Sequence, residues 1–510
     1  MGKGSIARRK NNVYEPQPHR KPKFAPIRSG GNLPPQGEAY TNHNRARTPK
    51  PRPRRSGGVH AATEPAYTKL RRVKRNYPRT RVSHGGLEAA ATANTQFPAF
   101  TKNTPPPHTT MNTTELKRNL NLLRKTLTSC LIRLMLQPLK CLPVRRNRVL
   151  FSAYMEKQYA CNPKYISLAL QRLFGSRAEI VWAFRRPEDF AYLKQQNIRV
   201  TGSNSFEFVK LAMTSRVIVT NTYFKPSLPR RRGQLIVNTW HGGGAYKRVG
   251  KYVEMPLIER LNTRLRESGI KLFLSSGRFF TENVIRDSFG FTGEVLEKGM
   301  PRNDLLLAPR QPKKTGSIRR AIGLKDGERL VLYAPTYRRD TKNHDLGLDY
   351  ERLTRALETR FGGKWRVGYR SHHVSMYKDA SFLTEGALDL TAYPDMQELL
   401  YVSDALITDY SSSIWDAALG GVKAFLYAPD LSSYLTERDF YTDIHAWPFP
   451  LGTGMEELEE NILRFDEEKY ARDVKEHLEA LGSCETGRAS EYAARRIARE
   501  LGLEVKNDDQ

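Results

Sequence analysis

From Arg148 onward, short strand-like runs alternate with helical stretches, and they do so in two successive series. The first series has runs at Val149–Ala153, Glu179–Phe184, Val217–Asn221, Leu235–Trp240, Leu272–Ser275 and Val295–Lys298. After the polar linker Pro309–Gly316 come Leu330–Ala334, Trp365–Tyr369, Ala405–Thr408 and Ala424–Tyr427. Helical patterns such as Lys164–Phe174, Tyr350–Phe361 and Ile414–Leu419 separate them. A strand that is followed by a helix and then another strand pairs in parallel, so this pattern predicts an α/β chain with two doubly wound parallel sheets. The expected domains are residues 146–310 and 311–450, with a helical segment at 451–510. In open parallel sheets ligands bind beyond the carboxyl ends of the strands. Chemistry is therefore expected in the loops that follow strands.

The region upstream of 146 is different. Residues 1–110 carry 22 Lys and Arg against 4 Asp and Glu, and residues 111–150 carry 9 against 1. Of the formal charge of +31, only +5 is left for residues 151–510. The first 110 residues are rich in Pro, Gly, Arg, Thr and Asn and poor in groups that build a core, which predicts a disordered basic tail. Such a tail suits nucleic acid or anionic lipid, and equally a merely solvated extension. Residues 111–145 predict a basic amphipathic helix, because Leu116, Leu120, Leu123, Leu127, Leu131 and Leu134 recur at steps of three and four. That stripe either lies on an anionic membrane surface or packs on the protein's own core. No run is long and apolar enough for a transmembrane helix, and no leader pattern opens the sequence. Cys130, Cys141, Cys161 and Cys484 have neither metal nor redox spacing, which fits a reducing compartment.

Four strand-end loops carry candidate chemistry. The first, TWHGGGAYKRVG at Thr239–Gly250, places His241 ahead of Gly242, Gly243 and Gly244, with Lys247 and Arg248 behind. Glycines let backbone N–H groups approach an anion closely, and the imidazole is placed to take a proton from a nucleophilic hydroxyl. The second, Gly299–Asp304, offers Arg302 as a phosphate clamp, although Pro301 and Asn303 also suit a simple turn. The third, Tyr333–Arg339, contributes Arg338, and Arg370-Ser371-His372-His373 follows the next strand. The fourth, Ile407–Ser413, leads into a helix with Asp409, Ser411 and Ser412, which suits a phosphate or plain capping. There is no Walker motif, dinucleotide fingerprint, HExxH or Cys/His cluster, so ATP hydrolysis, hydride transfer and a metal centre lack support.

In order and spacing, WHGGGAYKRVG, GMPRND, YAPTYR, RSHH, LITDYSSSIWDAAL and FLYAPDLSSYLTERDFYTD resemble the CDP-glycerol glycerophosphotransferases of teichoic-acid synthesis. RVLFSAYMEKQYACNPKYI matches the opening of that family's catalytic region, and the likeness spans about residues 146–470. The resemblance implies a GT-B fold and transfer of a polyol phosphate with no metal or other cofactor. The donor would be CDP-glycerol or CDP-ribitol, and the acceptor a polyprenyl-linked polymer at the cytoplasmic face of the plasma membrane, where the enzyme would sit peripherally. It also implies catalytic roles for His241 and His372, with the donor phosphates held by Asp409, Ser411, Ser412, Arg338 and Arg302. Where many members read WHGTPLK this chain reads WHGGGAYK, which leaves acceptor and polyol open. One alternative is a GT-B glycosyltransferase that uses a nucleotide-sugar. Another is a nucleic-acid binder driven by the tail, although the nearly balanced body makes a specific nucleic-acid partner unexpected.

Overall fold

The structure is a computed structural model that describes residues 113–253, 255–336, 346–371 and 386–504 of the 510-residue chain. The tail expected over residues 1–110 lies outside the described residues, as do Arg338 and His372.

Strands β1 (Arg145–Ser152), β2 (Glu179–Phe184), β3 (Arg199–Gly202), β4 (Ser215–Thr220), β5 (Leu235–Asn238), β6 (Ile270–Ser275) and β7 (Glu294–Glu297) form one sheet, in the order β3-β2-β1-β4-β5-β6-β7. Every pairing in it is parallel. Its central strands are buried on both faces, which is why Val149–Phe151 and Ile180–Phe184 read as unbroken apolar runs. A second parallel sheet contains β8 (Glu328–Tyr333), β9 (Lys364–Tyr369), β10 (Leu388–Asp389), β11 (Ala405–Thr408), β12 (Lys423–Tyr427) and β13 (Leu451–Gly452), in the order β10-β9-β8-β11-β12-β13.

The predicted strands all form, and β3, β10 and β13 add to them. These are edge strands of two to four residues, too short to show a periodic pattern. The helices after residue 450 do not form a layer of their own. Met455, Leu458 and Ile462 enter the core under the second sheet, whereas Ala493, Ala494, Ile497 and Leu501 cross back beneath the first. Helix Ala489–Leu501 therefore packs on the lobe that holds the first strand.

Helix Thr113–Met135 packs against helix Leu257–Glu267 and does not bury its leucines in the core. Leu120, Leu127, Leu131 and Leu134 are 55%, 60%, 58% and 68% exposed, and Leu257 of the neighbouring helix is 72% exposed. None of the described helices is long and apolar enough to cross a membrane.

Candidate active site

His241 comes directly off the carboxyl end of β5, and its approach is strained. Trp240 adopts a left-handed φ of 51°, a conformation that costs a non-glycine residue about 1–2 kcal/mol. Its amide donates to Asn238 Oδ1 at 2.8 Å, while Asn162 Nδ2 donates to the carbonyls of Thr239 and Trp240 at 3.0 and 3.1 Å. These bonds hold the strained turn and so aim the following side chain. His241 Nδ1 lies 2.9 Å from the carbonyl oxygen of Asn221, at the end of β4. A carbonyl can only accept, so Nδ1 carries the proton and Nε2 the lone pair. Burial, then the nearby Arg302 and Lys247, push the imidazole pKa down to about 4 against the pull of the Asn221 carbonyl. The ring is neutral at pH 7, as a base must be.

His241 shares one pocket with Ser411 and Ser412 from the loop after β11 and with Arg370 and Ser371 from the loop after β9. The two lobes therefore meet where the strand-end argument places a site. The contact is close. A Cβ on Gly242 would lie 3.0 Å from Ser412 Oγ, and one on Gly243 would lie 2.7 Å from the Trp415 ring. At Gly244 a Cβ would stand 2.4 Å from the Tyr246 ring. The glycine run was expected to cradle an anion; in the structure its lack of side chains lets one lobe's loop lie flat on the other. Beyond it, the backbone of Lys247 bridges to Phe440, and the Tyr441 amide donates to the Tyr246 carbonyl at 2.8 Å.

Two expected phosphate ligands are already engaged by the protein. Asp409 is 1% exposed, and its carboxylate accepts from the Thr336 amide at 2.9 and 3.0 Å, the Thr336 hydroxyl and the Tyr410 amide. A carboxylate also repels phosphate, so Asp409 braces the β8 loop against the β11 loop and is not itself a donor ligand. Arg302 lines the pocket but is 3% exposed. Its Nη2 pairs with Asp416 at 2.9 Å and its Nη1 donates to the His241 carbonyl at 2.5 Å. Burial works against the guanidinium's charge, yet Asp416, Cys161 and Tyr154 outweigh it and hold the Arg302 pKa above its ordinary value.

Several residues that the sequence did not mark out complete the site. Tyr154 stands edge-on to His241, with ring centres 6.0 Å apart, and its amide donates to Asn221 Oδ1 at 2.8 Å. Asn221 thus holds the His241 ring and the backbone of Tyr154. Tyr154, Met155 and Glu156 follow β1 with φ of 48°, 56° and 62°, a run of left-handed residues that marks stored strain beside a functional pocket. The strand-end rule covers both this loop and Asn221, but no glycine cluster or charged motif there singled them out. Asp395, Gln397 and Asp416 lie at or within helices of the second lobe; Asp416 falls inside the LITDYSSSIWDAAL stretch, while no motif distinguishes Asp395 and Gln397. Among the described residues no group of three or more His, Cys, Asp or Glu could hold a metal ion.

Two facing parallel-sheet lobes with a strand-end imidazole on one and a serine loop on the other define a GT-B-like protein. The sequence model of the family described as CDP-Glycerol:Poly(glycerophosphate) glycerophosphotransferase matches residues 134–499, and the chain belongs to that family. It is 28% identical over 367 residues to the teichoic acid poly(glycerol phosphate) polymerase of Bacillus subtilis (strain 168), covering 69% of this chain and 48% of that one. The chain thus spans about half the length of that relative. With the teichoic acid glycerol-phosphate transferase of Staphylococcus aureus it shares 25% identity over 375 residues, 69% of this chain and 93% of the other. The solved structure of the wall teichoic acid polymerase TagF superimposes with a TM-score of 0.64 at 25% identity, over 76% of this chain and 97% of that one.

Proposed function

We propose that this chain transfers a polyol phosphate, glycerol phosphate first of all, from a CDP-linked donor to a hydroxyl of a polyprenyl-linked teichoic-acid-type acceptor. His241 Nε2 takes the proton of that hydroxyl, whose oxygen attacks the donor phosphorus bearing the polyol. The new P–O bond forms as the bond to the CMP phosphate breaks, and CMP leaves. Ser411 and Ser412 meet the donor phosphates, together with Arg338 and His372, which lie outside the described residues. The reading requires no metal or other cofactor. Phosphoryl transfer depends mainly on positioning and charge stabilisation, which this set of side chains supplies.

The observation that carries the reading is His241, its Nδ1 held by the Asn221 carbonyl, in one pocket with the Ser411–Ser412 loop of the opposite lobe. It is tested by incubating the purified full chain with a polyprenyl-linked primer and CDP-glycerol, CDP-ribitol or UDP-sugars. Release of CMP with a CDP-polyol is expected. Release of UDP, with none of CMP, would replace this reading with that of a sugar transferase.

The same reading places the chain peripherally at the cytoplasmic face of the membrane. The exposed stripe Leu120–Leu134 has Lys117, Arg118, Arg124 and Lys125 exposed around it, an apolar face with basic flanks that suits an anionic bilayer surface. Burying one leucine contributes about 1.5–3 kcal/mol. Leu127→Glu combined with Leu131→Glu is therefore expected to abolish flotation on vesicles containing phosphatidylglycerol. Equal flotation of this variant and the wild type would exclude the helix as the anchor.

A further inference from the structure

The base and the donor loop belong to different lobes, yet a short chain of buried polar contacts joins them. Asp416 sits on helix Ser413–Leu419, which directly follows Ser411 and Ser412. Its carboxylate receives Arg302 Nη2 at 2.9 and 3.1 Å and Gln397 Nε2 at 2.9 Å. Arg302 crosses the lobe boundary, and its other nitrogen, Nη1, holds the carbonyl of His241 itself. The loop that carries Arg302 is pinned in turn. Glu485 accepts from the Met300 amide and from Asn303 Nδ2, each at 3.0 Å, and Asn162 Oδ1 accepts from the Arg302 amide at 3.1 Å. Gly299 enters this loop at φ 94°, where a Cβ would lie 2.7 Å from Glu485 Oε2, so glycine is required there. The same Asn162 holds the carbonyls of Thr239 and Trp240, so every carbonyl from Thr239 to His241 is fastened to this network.

We propose that Arg302 and Asp416 are a positioning pair: they lock the peptide of the base to the helix that begins at the donor-phosphate loop, so that engaging the donor also orients His241. The proposal rests on the transfer reading above. An exposed arginine would act as a phosphate clamp, but here both terminal nitrogens of the fork are taken by Asp416 and the His241 carbonyl. A misplacement of about 1 Å of a catalytic group can cost on the order of 10²-fold in rate, and the link guards against a displacement of that size. Arg302 also contributes charge. Together with Lys247 it bears on the imidazole as a cation, and Tyr154 faces the ring as a neutral phenol whose own pKa is raised, chiefly by burial.

The test is the double variant Arg302→Met with Asp416→Leu, because replacing both members of a buried pair by apolar groups of similar volume usually preserves folding. Turnover with CDP-glycerol is expected to fall about 10²-fold while the donor KM changes little. The acid limb of kcat/KM, and the His241 ring titration followed by NMR, should both move to higher pH as the neighbouring cation is lost. Arg302→Lys with Asp416 intact should restore the acid limb but only part of kcat, since a single ammonium nitrogen lacks the two separated terminal nitrogens with which the rigid guanidinium spans Asp416 and the His241 carbonyl. A folded double variant with wild-type kcat overturns the proposal. So does a loss expressed as a raised donor KM, which would make Arg302 a phosphate ligand. If the wild type itself releases no CMP, the transfer reading fails, while the NMR titration still reports whether the pair acts on His241.

Discussion

Replacing His241 by alanine is expected to lower CMP release in a single turnover by about 10²–10⁴-fold, the usual contribution of a general base, without unfolding the protein. The ring is only half-buried, so its removal leaves a gap that solvent can fill, and Asn221 keeps its bond to the Tyr154 amide. The pH dependence carries the same signature. Burial depresses the imidazole pKa to about 4, below the ordinary histidine value of about 6.5. Protonation removes the base, so kcat/KM should fall with decreasing pH along a limb displaced well below neutrality, and that limb should be absent in the variant. Near-wild-type turnover in folded His241→Ala would remove the imidazole from the chemistry.

The second large effect concerns stability. Asp395 is fully buried between the lobes, where it receives Lys164 Nζ at 2.6 Å and the Tyr165 hydroxyl at 3.0 Å. It also caps helix Met396–Val402 through the Gln397 amide at 3.1 Å. Glu398 is a second partner of Lys164 at 2.9 Å, and the lysine pKa is raised: burial opposes its charge, but Asp395, Tyr165 and Glu398 together outweigh it. Removing one member of a buried pair costs up to about 3–5 kcal/mol; here Glu398 still faces Lys164, which keeps the loss below that range, and losing the cap adds about 1 kcal/mol. Asp395→Ala should therefore lower the thermal midpoint by several degrees and loosen the lobes. Lys164→Met with Asp395→Leu should recover most of the loss. A single variant that melts with the wild type would show that the pair does not hold the cleft together.

Much of the architecture was legible in the amino-acid order. The two series of apolar runs gave both sheets, because strands buried on two faces need unbroken Val, Ile, Leu and Phe. The loops after β5 and β11 were marked by glycines and serines just beyond strand ends, and these do meet in one pocket. The leucine stripe was equally plain, but its spacing could not say what covers it. Only the packed helix shows that its face is left open to solvent.

Side-chain assignments were less secure wherever a charge had two candidate partners. Arg302 and Asp409 stand in loops rich in phosphate-binding residue types, and type alone does not distinguish a ligand of substrate from a ligand of the protein. The fold decides, by bringing Asp416 to Arg302 and the Thr336 amide to Asp409 across 114 and 73 residues of chain. Local order therefore determined the sheets, the strand-end loops and the histidine that heads one of them, since these depend on neighbours in sequence. The tertiary structure alone determined which charges are spent inside the molecule, because a buried ion is paired by whatever the fold places beside it.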